Sequence, residues 1–162
     1  MTTHRRASIL AAAAVTAAAA TSAVAVNASG QTSASQPQTI HVTQVDRAFK
    51  FIDVAPRGGT SKPFTEGDAF VIGGKLLDGS KAVGKSDLVC TTTQPGKKGG
   101  SLCDGTLVLS GGQITFSGYN TVADVPATVF AVTGGTGSYA GASGTVTAKD
   151  AGDGRTKLTV QF

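Results

Sequence analysis

The chain has 162 residues with a formal net charge of +4, 22 glycines, two cysteines and no tryptophan. That length suits one domain with a real core and no dependence on staples. The cations are scattered, with no basic run beyond Lys97-Lys98, so the sequence shows no clustered basic face of the kind that nucleic-acid binding needs.

The first 28 residues have the form of a secretory signal. Arg5 and Arg6 make a basic start, Ile9 to Ala20 an apolar run built mostly of alanine, and small-x-small sites end at Ala25 and Ala28. The run is short and weak for a membrane span, which needs about 20 strongly apolar residues. "RRASIL" lacks the residues that usually follow a twin-arginine pair, and no cysteine near the cleavage site could carry a lipid. Removing Arg5 and Arg6 leaves a mature charge of +2. Residues 29–38, "SGQTSASQPQ", read as a flexible linker, which leaves 39–162 as the folded domain.

From there the chain is rich in Gly, Thr and Val, and apolar residues recur with period two rather than 3.6. The pattern predicts strands at Ile40–Asp46, Asp68–Leu77, Val83–Thr93, Leu102–Leu109, Gln113–Tyr119, Ala127–Thr133, Gly144–Lys149 and Thr156–Phe162. Leu158, Val160 and Phe162 alternate with Lys157, Thr159 and Gln161, which means one buried and one wet face. "DGS" (78–80), "SGG" (110–112) and "AGDG" (151–154) suit hairpins. Eight short antiparallel strands with tight turns imply an all-β sandwich or closed barrel, and eight is a size that holds side chains or one small ligand. The longer link Ala55 to Gly67 is the expected mobile loop, over one barrel mouth.

Cys90 and Cys103 flank "TTTQPGKKGGSL", whose Pro-Gly and Gly-Gly mark a turn that would set them opposite each other. An exported chain permits the disulfide. Two cysteines without a nearby histidine pair make a poor zinc site, so no metal is expected.

"AVTGGTGSYAGASG" (131–144) carries Gly134, Gly135, Gly137, Gly141 and Gly144 and contains a G-x-G-x-x-A match to the dinucleotide fingerprint. That motif works where a helix begins in it, but here "TVTAK" follows and reads as strand. The stretch therefore reads as a tight connection, with Tyr139 packing over the turn, and no cofactor is expected. Glu66 and Asp68 flank Gly67 as a solvated turn, and "DAGDG" (150–154) lacks the later glutamate of a calcium loop. His41 stands after the signal on the strand face it shares with Thr43, opposite Ile40 and Val42.

The order "GDAFVIGGKLLDGSKAVGKSDLVCTTT", "GQITFSGY", "FAVTGGTGSYAGASGTVTAK", "TKLTVQF" resembles the allene oxide cyclase barrel family and the similar dirigent proteins. The resemblance spans 39–162 and is strongest from Gly67 onward; bacterial secreted members with two cysteines are the most similar. It implies an all-β, eight-stranded antiparallel up-and-down barrel of calycin-like form, with a cavity, and association as a homotrimer. In the plant cyclases a glutamate and an asparagine two apart on the first strand, a proline and a further asparagine act on the substrate. If Asp46-Arg47 sets the register, those positions hold His41, Thr43, Lys50 and Gly74, and Cys90 matches a lumen cysteine. The acid that dirigent proteins carry before the glycine segment is missing from "PATVFAVT", while Asp78 falls near their other aspartate.

The expectation is a secreted barrel that binds a small apolar molecule in its lumen, with His41, Thr43 and Asp78 as lumen candidates and without the plant cyclase's polar set. A dirigent- or cyclase-type auxiliary that steers a reactive substrate is the second reading. A non-catalytic extracellular structural or interaction protein is the third.

Overall fold

The computed structural model describes residues 38–54, 64–96, 98–121 and 125–162. Eight strands follow in chain order: β1 (Thr39–Ile52), β2 (Ala69–Asp78), β3 (Lys81–Gln94), β4 (Gly100–Leu109), β5 (Gly112–Thr121), β6 (Thr128–Gly135), β7 (Gly144–Gly152) and β8 (Arg155–Gln161). Each pairs antiparallel with its sequence neighbour, and β8 returns to β1, so the sheet closes into an up-and-down barrel. The closing ladder runs from Thr39↔Gln161 to Val45↔Arg155, and Gln38 extends it through two backbone bonds with Phe162. Residues 1–37, with the signal and most of the linker, lie outside the described residues, as does 55–63 of the expected mobile loop.

Period-two alternation turns one face of every strand inward. Val42, Leu76, Leu107, Ile114, Val146 and Val160 are buried and form the core with Leu158, Phe116 and Phe130. Inward glycines make room for larger neighbours. A Cβ on Gly105 would collide with the Phe116 ring, and one on Gly118 would crowd Phe130; those two rings pack at 5.4 Å.

The predicted strands match the observed ones closely, with β1 the main exception. It was expected to end at Asp46 and runs on to Ile52. Its register on β2 slips between Asp46 and Ala48, so Arg47 is an extra, unpaired residue. Such a bulge shifts the alternation by one position. Beyond it Phe49 and Phe51 sit opposite Ile72 and Phe70.

Cys90 and Cys103 are direct cross-strand partners on β3 and β4 and form a disulfide, both essentially without solvent access.

The two barrel ends differ. One carries the β2–β3 and β4–β5 hairpins, both chain ends of the barrel and the glycine-rich β6–β7 link. That link forms a single 3-10 turn at Gly137–Tyr139. Ser138 N–H donates to Gly111 O at 2.8 Å and Thr136 N–H to Gln113 O at 2.9 Å, while the amides of Tyr139, Ala140 and Ala142 bond within the link. Tyr139 packs edge-on against Phe162 at 5.7 Å. Gly137 has φ +61° and its backbone lies against Gly111. The link is a plug.

The other end carries the longer connections. There Asp68 is buried, its carboxylate accepting from Val54 N–H at 2.9 Å and Thr65 N–H at 2.8 Å. Backbone bonds from Gly67 N–H to Thr92 O and from Thr92 N–H to Asp68 O tie this point to β3. The expected solvated turn therefore holds only for exposed Glu66; Asp68 is a structural anchor that nucleates the start of β2.

Three outcomes follow. Gly137→Val should cost at least about 2 kcal/mol, because a β-branched residue is strained at positive φ; urea unfolding reads the loss, and added ATP or NAD should leave the wild-type melting temperature unchanged. Replacing both cysteines by alanine should lower stability by about 3 kcal/mol, the order expected for a loop of this size, read in the same titration. The Thr65 and Val54 amides hold the Asp68 carboxyl below its ordinary value. Its contribution is therefore full above the ordinary value and is lost as pH falls through the lowered folded one. Asp68→Asn should be less stable at neutral pH and should show a shallower loss on acidification, measured by unfolding across the acid range.

Candidate functional site

The loop-bearing end has an amphipathic mouth. On the β1–β2 side, Phe49, Phe51, Phe64 and Phe70 form a chain of ring contacts: Phe51–Phe64 at 5.4 Å, Phe64–Phe70 and Phe49–Phe70 at 6.4 Å. Phe49 is 65 % exposed and Phe64 38 %. Rings normally bury themselves for the area they remove from water. An exposed run of them at a barrel rim is a surface suited to an apolar partner.

The β3–β6 side of the same end is polar. Thr92 pairs with Ser101, and Ser101 with Asn120. Thr128 Oγ1 donates to Asn120 Oδ1 at 3.0 Å across the next strand gap. Thr92 and Ser101 are buried, and the Thr92 hydroxyl has no hydrogen-bond partner among the described residues. A buried hydroxyl left unpaired costs free energy that a ligand oxygen or nitrogen would recover.

Deeper, a polar chain crosses the inner wall. Ser86 Oγ donates to Gln44 Oε1 at 2.8 Å, and Gln44 Nε2 donates to Asp46 Oδ1 at 2.8 Å. Gln44 and Ser86 are buried. Gly74 lies beneath them: a Cβ there would come within 2.9 Å of Ser86 Oγ and closer still to the Gln44 stem. The glycine is what lets Gln44 lie across β2 and reach Ser86. The result fixes one carboxylate oxygen of Asp46, while Oδ2 stays without a hydrogen bond among the described residues. Asp46 precedes Phe49 by three residues, about 10 Å along the strand at most, so the carboxylate stands below the aromatic rim.

His41, Thr43 and Asp78 do come together, but outside the lumen. They line an open groove of about 260 Å³ with Leu77, Gly79, Lys157 and Thr159. The reason is strand parity. Val42 and Gln44 are the buried inward residues of β1, so His41 and Thr43 face out, and Asp78 is exposed at the β2–β3 turn. His41 Nδ1 lies 3.2 Å from Thr159 Oγ1. The three stand on the side of the strands away from buried Val42 and Gln44. The inward polar residues of β1 are Gln44 and Asp46, which the sequence reading passed over. The available signal was parity itself: Val42 inward requires Gln44 inward.

A cleft of about 120 Å³ beside the glycine link is lined by Gln38, Ser138, Tyr139, Ala140, Gly141, Ala142, Ser143 and Phe162, without a cation. The amides of Thr136, Ser138, Tyr139, Ala140 and Ala142 are already bonded to backbone carbonyls. No group of three or more potential metal ligands occurs among the described residues, and no described helix is long and apolar enough to cross a membrane.

No protein-family model matches the chain, and none of the curated proteins matches it. Solved structures do. A pyocyanin demethylase superposes with TM-score 0.67 at 21 % identity, over 77 % of this chain and 100 % of that one. A pterocarpan synthase dirigent protein gives 0.60 at 19 % identity, over 78 % of this chain and 87 % of that one. AbnU, an exo-specific intermolecular Diels-Alderase, gives 0.60 at 16 % identity, over 78 % of this chain and 97 % of that one. At these identities the likeness is one of fold: the chain is a closed eight-stranded antiparallel barrel that shares its fold with these proteins.

Proposed function

We propose that the barrel binds a small, ring-bearing apolar molecule at its loop-bearing end. The observation that carries the reading is the exposed phenyl run, Phe49 and Phe64 above Phe70, over a mouth whose opposite wall is polar. A flat ligand would lie against the rings. Its polar substituents would meet Thr92, Asn120 and the free oxygen of Asp46. Mostly apolar walls with a few fixed polar groups are the usual composition of such sites. The plant cyclase set has no counterpart at the matched positions: His41 and Thr43 face outward and Lys50 is exposed.

A second reading adds chemistry to the same mouth. The Asp46 carboxylate is held by Gln44, which Ser86 in turn holds. Such a fixed anion could accept a proton or stabilise developing positive charge on a bound substrate. The fold neighbours include proteins named for a demethylation, a pterocarpan synthesis and a Diels-Alder reaction, which supports steering of a reactive substrate as the alternative.

Export belongs to the same proposal, supported by the form of residues 1–28 and by the disulfide, which oxidising compartments favour. So does self-association. Val89, Leu102, Tyr119 and Val129 are exposed on the outer face of β3–β6, an apolar strip suited to a second copy. Sedimentation equilibrium should show oligomer, and Leu102→Asp should shift it toward monomer.

Binding is tested by thermal shift with a panel of polycyclic phenols and quinones. A ligand at one hundred times its dissociation constant adds about 2.7 kcal/mol to stability. Phe49→Ala, at an exposed position, should fold normally and weaken binding about tenfold, the order of losing a well-packed ring contact. Asp46→Asn should weaken only ligands that carry a hydroxyl or a cation. A panel without any shift, or binding indifferent to Phe49, would show that the mouth is not the site.

A further inference from the structure

The barrel register gathers cations that the sequence scatters. Lys149 on β7 is the direct partner of Lys157 on β8. Lys75 on β2 is the direct partner of Lys85 on β3. Val45 of β1 pairs with Arg155 on one side and Lys75 on the other, which puts Arg155, Lys75 and Lys85 in one row across four strands. Lys157 pairs with Thr43 in the neighbouring row. Arg47, the unpaired residue of the bulge, is exposed on the same strand. Adjacent strands lie about 4.8 Å apart and successive rows about 7 Å, so five of these cations occupy one continuous outer face, β7–β8–β1–β2–β3, with Arg47 exposed at the bulge of its β1 strand.

The face carries more cations than acids. None of the six makes an ion pair among the described residues. Asp87 stands on the same side of β3, two residues from Lys85, with its Oδ1 over Gly73 of β2, and Asp78 lines one groove with Lys157. Asp104 lies on β4 and Asp153 in the β7–β8 hairpin. Asp150 accepts from Gly152 N–H at 2.9 Å within its own hairpin, and Asp46 faces inward to Gln44. Like charges directly opposite each other destabilise an antiparallel pair. This face holds two such pairs, Lys149–Lys157 and Lys75–Lys85, and folding alone gives no reason for either.

We infer that this outer face binds an acidic polysaccharide, a chain bearing carboxylate or sulfate groups. Charge complementarity calls for a polyanion, and the company the cations keep selects the kind. Thr39, Thr43, Thr145, Thr147, Thr159 and Gln161 fill the rows around them, a surface of hydroxyl and amide groups that can hydrogen-bond sugar hydroxyls. Strands β7 and β8 hold no aromatic side chain, and the exposed ring of Phe49 on β1 belongs to the mouth, where it contacts Phe70, so the rows of cations carry no platform for stacking bases. Of the exposed large apolar side chains, only Phe49 and Ile52, towards the end of β1, and Val89, on β3, belong to these strands; none lies on β7, β8 or β2, so the rows of cations lack a cluster that would insert into a lipid surface. The inference is independent of the lumen: the face is on the outer wall and the mouth at one end.

The test uses the full barrel protein with heparin as sulfated probe and polygalacturonate as carboxylated probe. The wild type should bind both, with affinity that falls steeply as salt rises. A variant with Lys75→Gln, Lys85→Gln, Lys149→Gln and Lys157→Gln should lose at least about tenfold in affinity and show a shallower salt dependence. Its melting temperature should hold or rise, because two like-charge pairs are gone. Lys98→Gln, in the β3–β4 turn away from the face, should bind as wild type, and so should Phe49→Ala, which separates this inference from the ligand at the mouth. Unchanged binding by the four-site variant would overturn the inference. So would duplex DNA, or vesicles of phosphatidylglycerol, binding as tightly as the two glycans.

Discussion

Closure of the sheet is the constraint on which everything else rests. Once β8 pairs with β1, no strand has a free edge, and every residue must face either the lumen or solvent. An eight-stranded barrel encloses only enough space for side chains or one small ligand. This chain fills most of its interior with Leu, Ile, Val and Phe, with glycines placed where a neighbour needs the room. Closure also makes the two ends unequal. Short hairpins and the glycine link seal one, and the aromatic rim and polar arc stand at the other.

The inner polar chain shows how a buried amide can be tolerated in such a core. Gln44 has a carbonyl that must accept and an NH2 that must donate. Ser86 supplies the donor, Asp46 the acceptor, and Gly74 the space. Removing any one of the three would leave Gln44 clashing or unpaired. The arrangement fixes one carboxylate oxygen of Asp46 at the expense of apolar packing. A purely structural core would gain nothing from that exchange.

Much of the fold was legible because alternation is a local property. Seven of the eight strands follow from patterns of apolar and polar residues within one segment, and the turn residues mark their ends. β1 was cut short at Asp46 because a single inserted residue, Arg47, reverses parity; "FKF" then reads as unrelated to what precedes it. The site was far less legible. His41, Thr43 and Asp78 drew attention by residue type, yet parity turns the first two outward. Gln44 and Asp46 look unremarkable in a row of letters, and their meaning comes from Ser86 and Gly74, which lie far along the chain. The basic face was invisible for the same reason: Lys75, Lys85, Lys149 and Lys157 become neighbours only through pairing. A register is a long-range fact, and one-dimensional patterns do not contain it.

The disulfide carries a consequence for the order of events in biogenesis. Cys90 and Cys103 face inward from adjacent strands and have almost no contact with solvent in the closed barrel. An oxidant or an isomerase reaches sulfur only through an open path, since exchange proceeds by direct attack on it. The sulfurs are most accessible while β3 and β4 are a bare hairpin, before β8 meets β1. In the closed barrel only local opening exposes them. Once β8 has met β1 the bond is shielded, and a reductant reaches it only when β3 and β4 open.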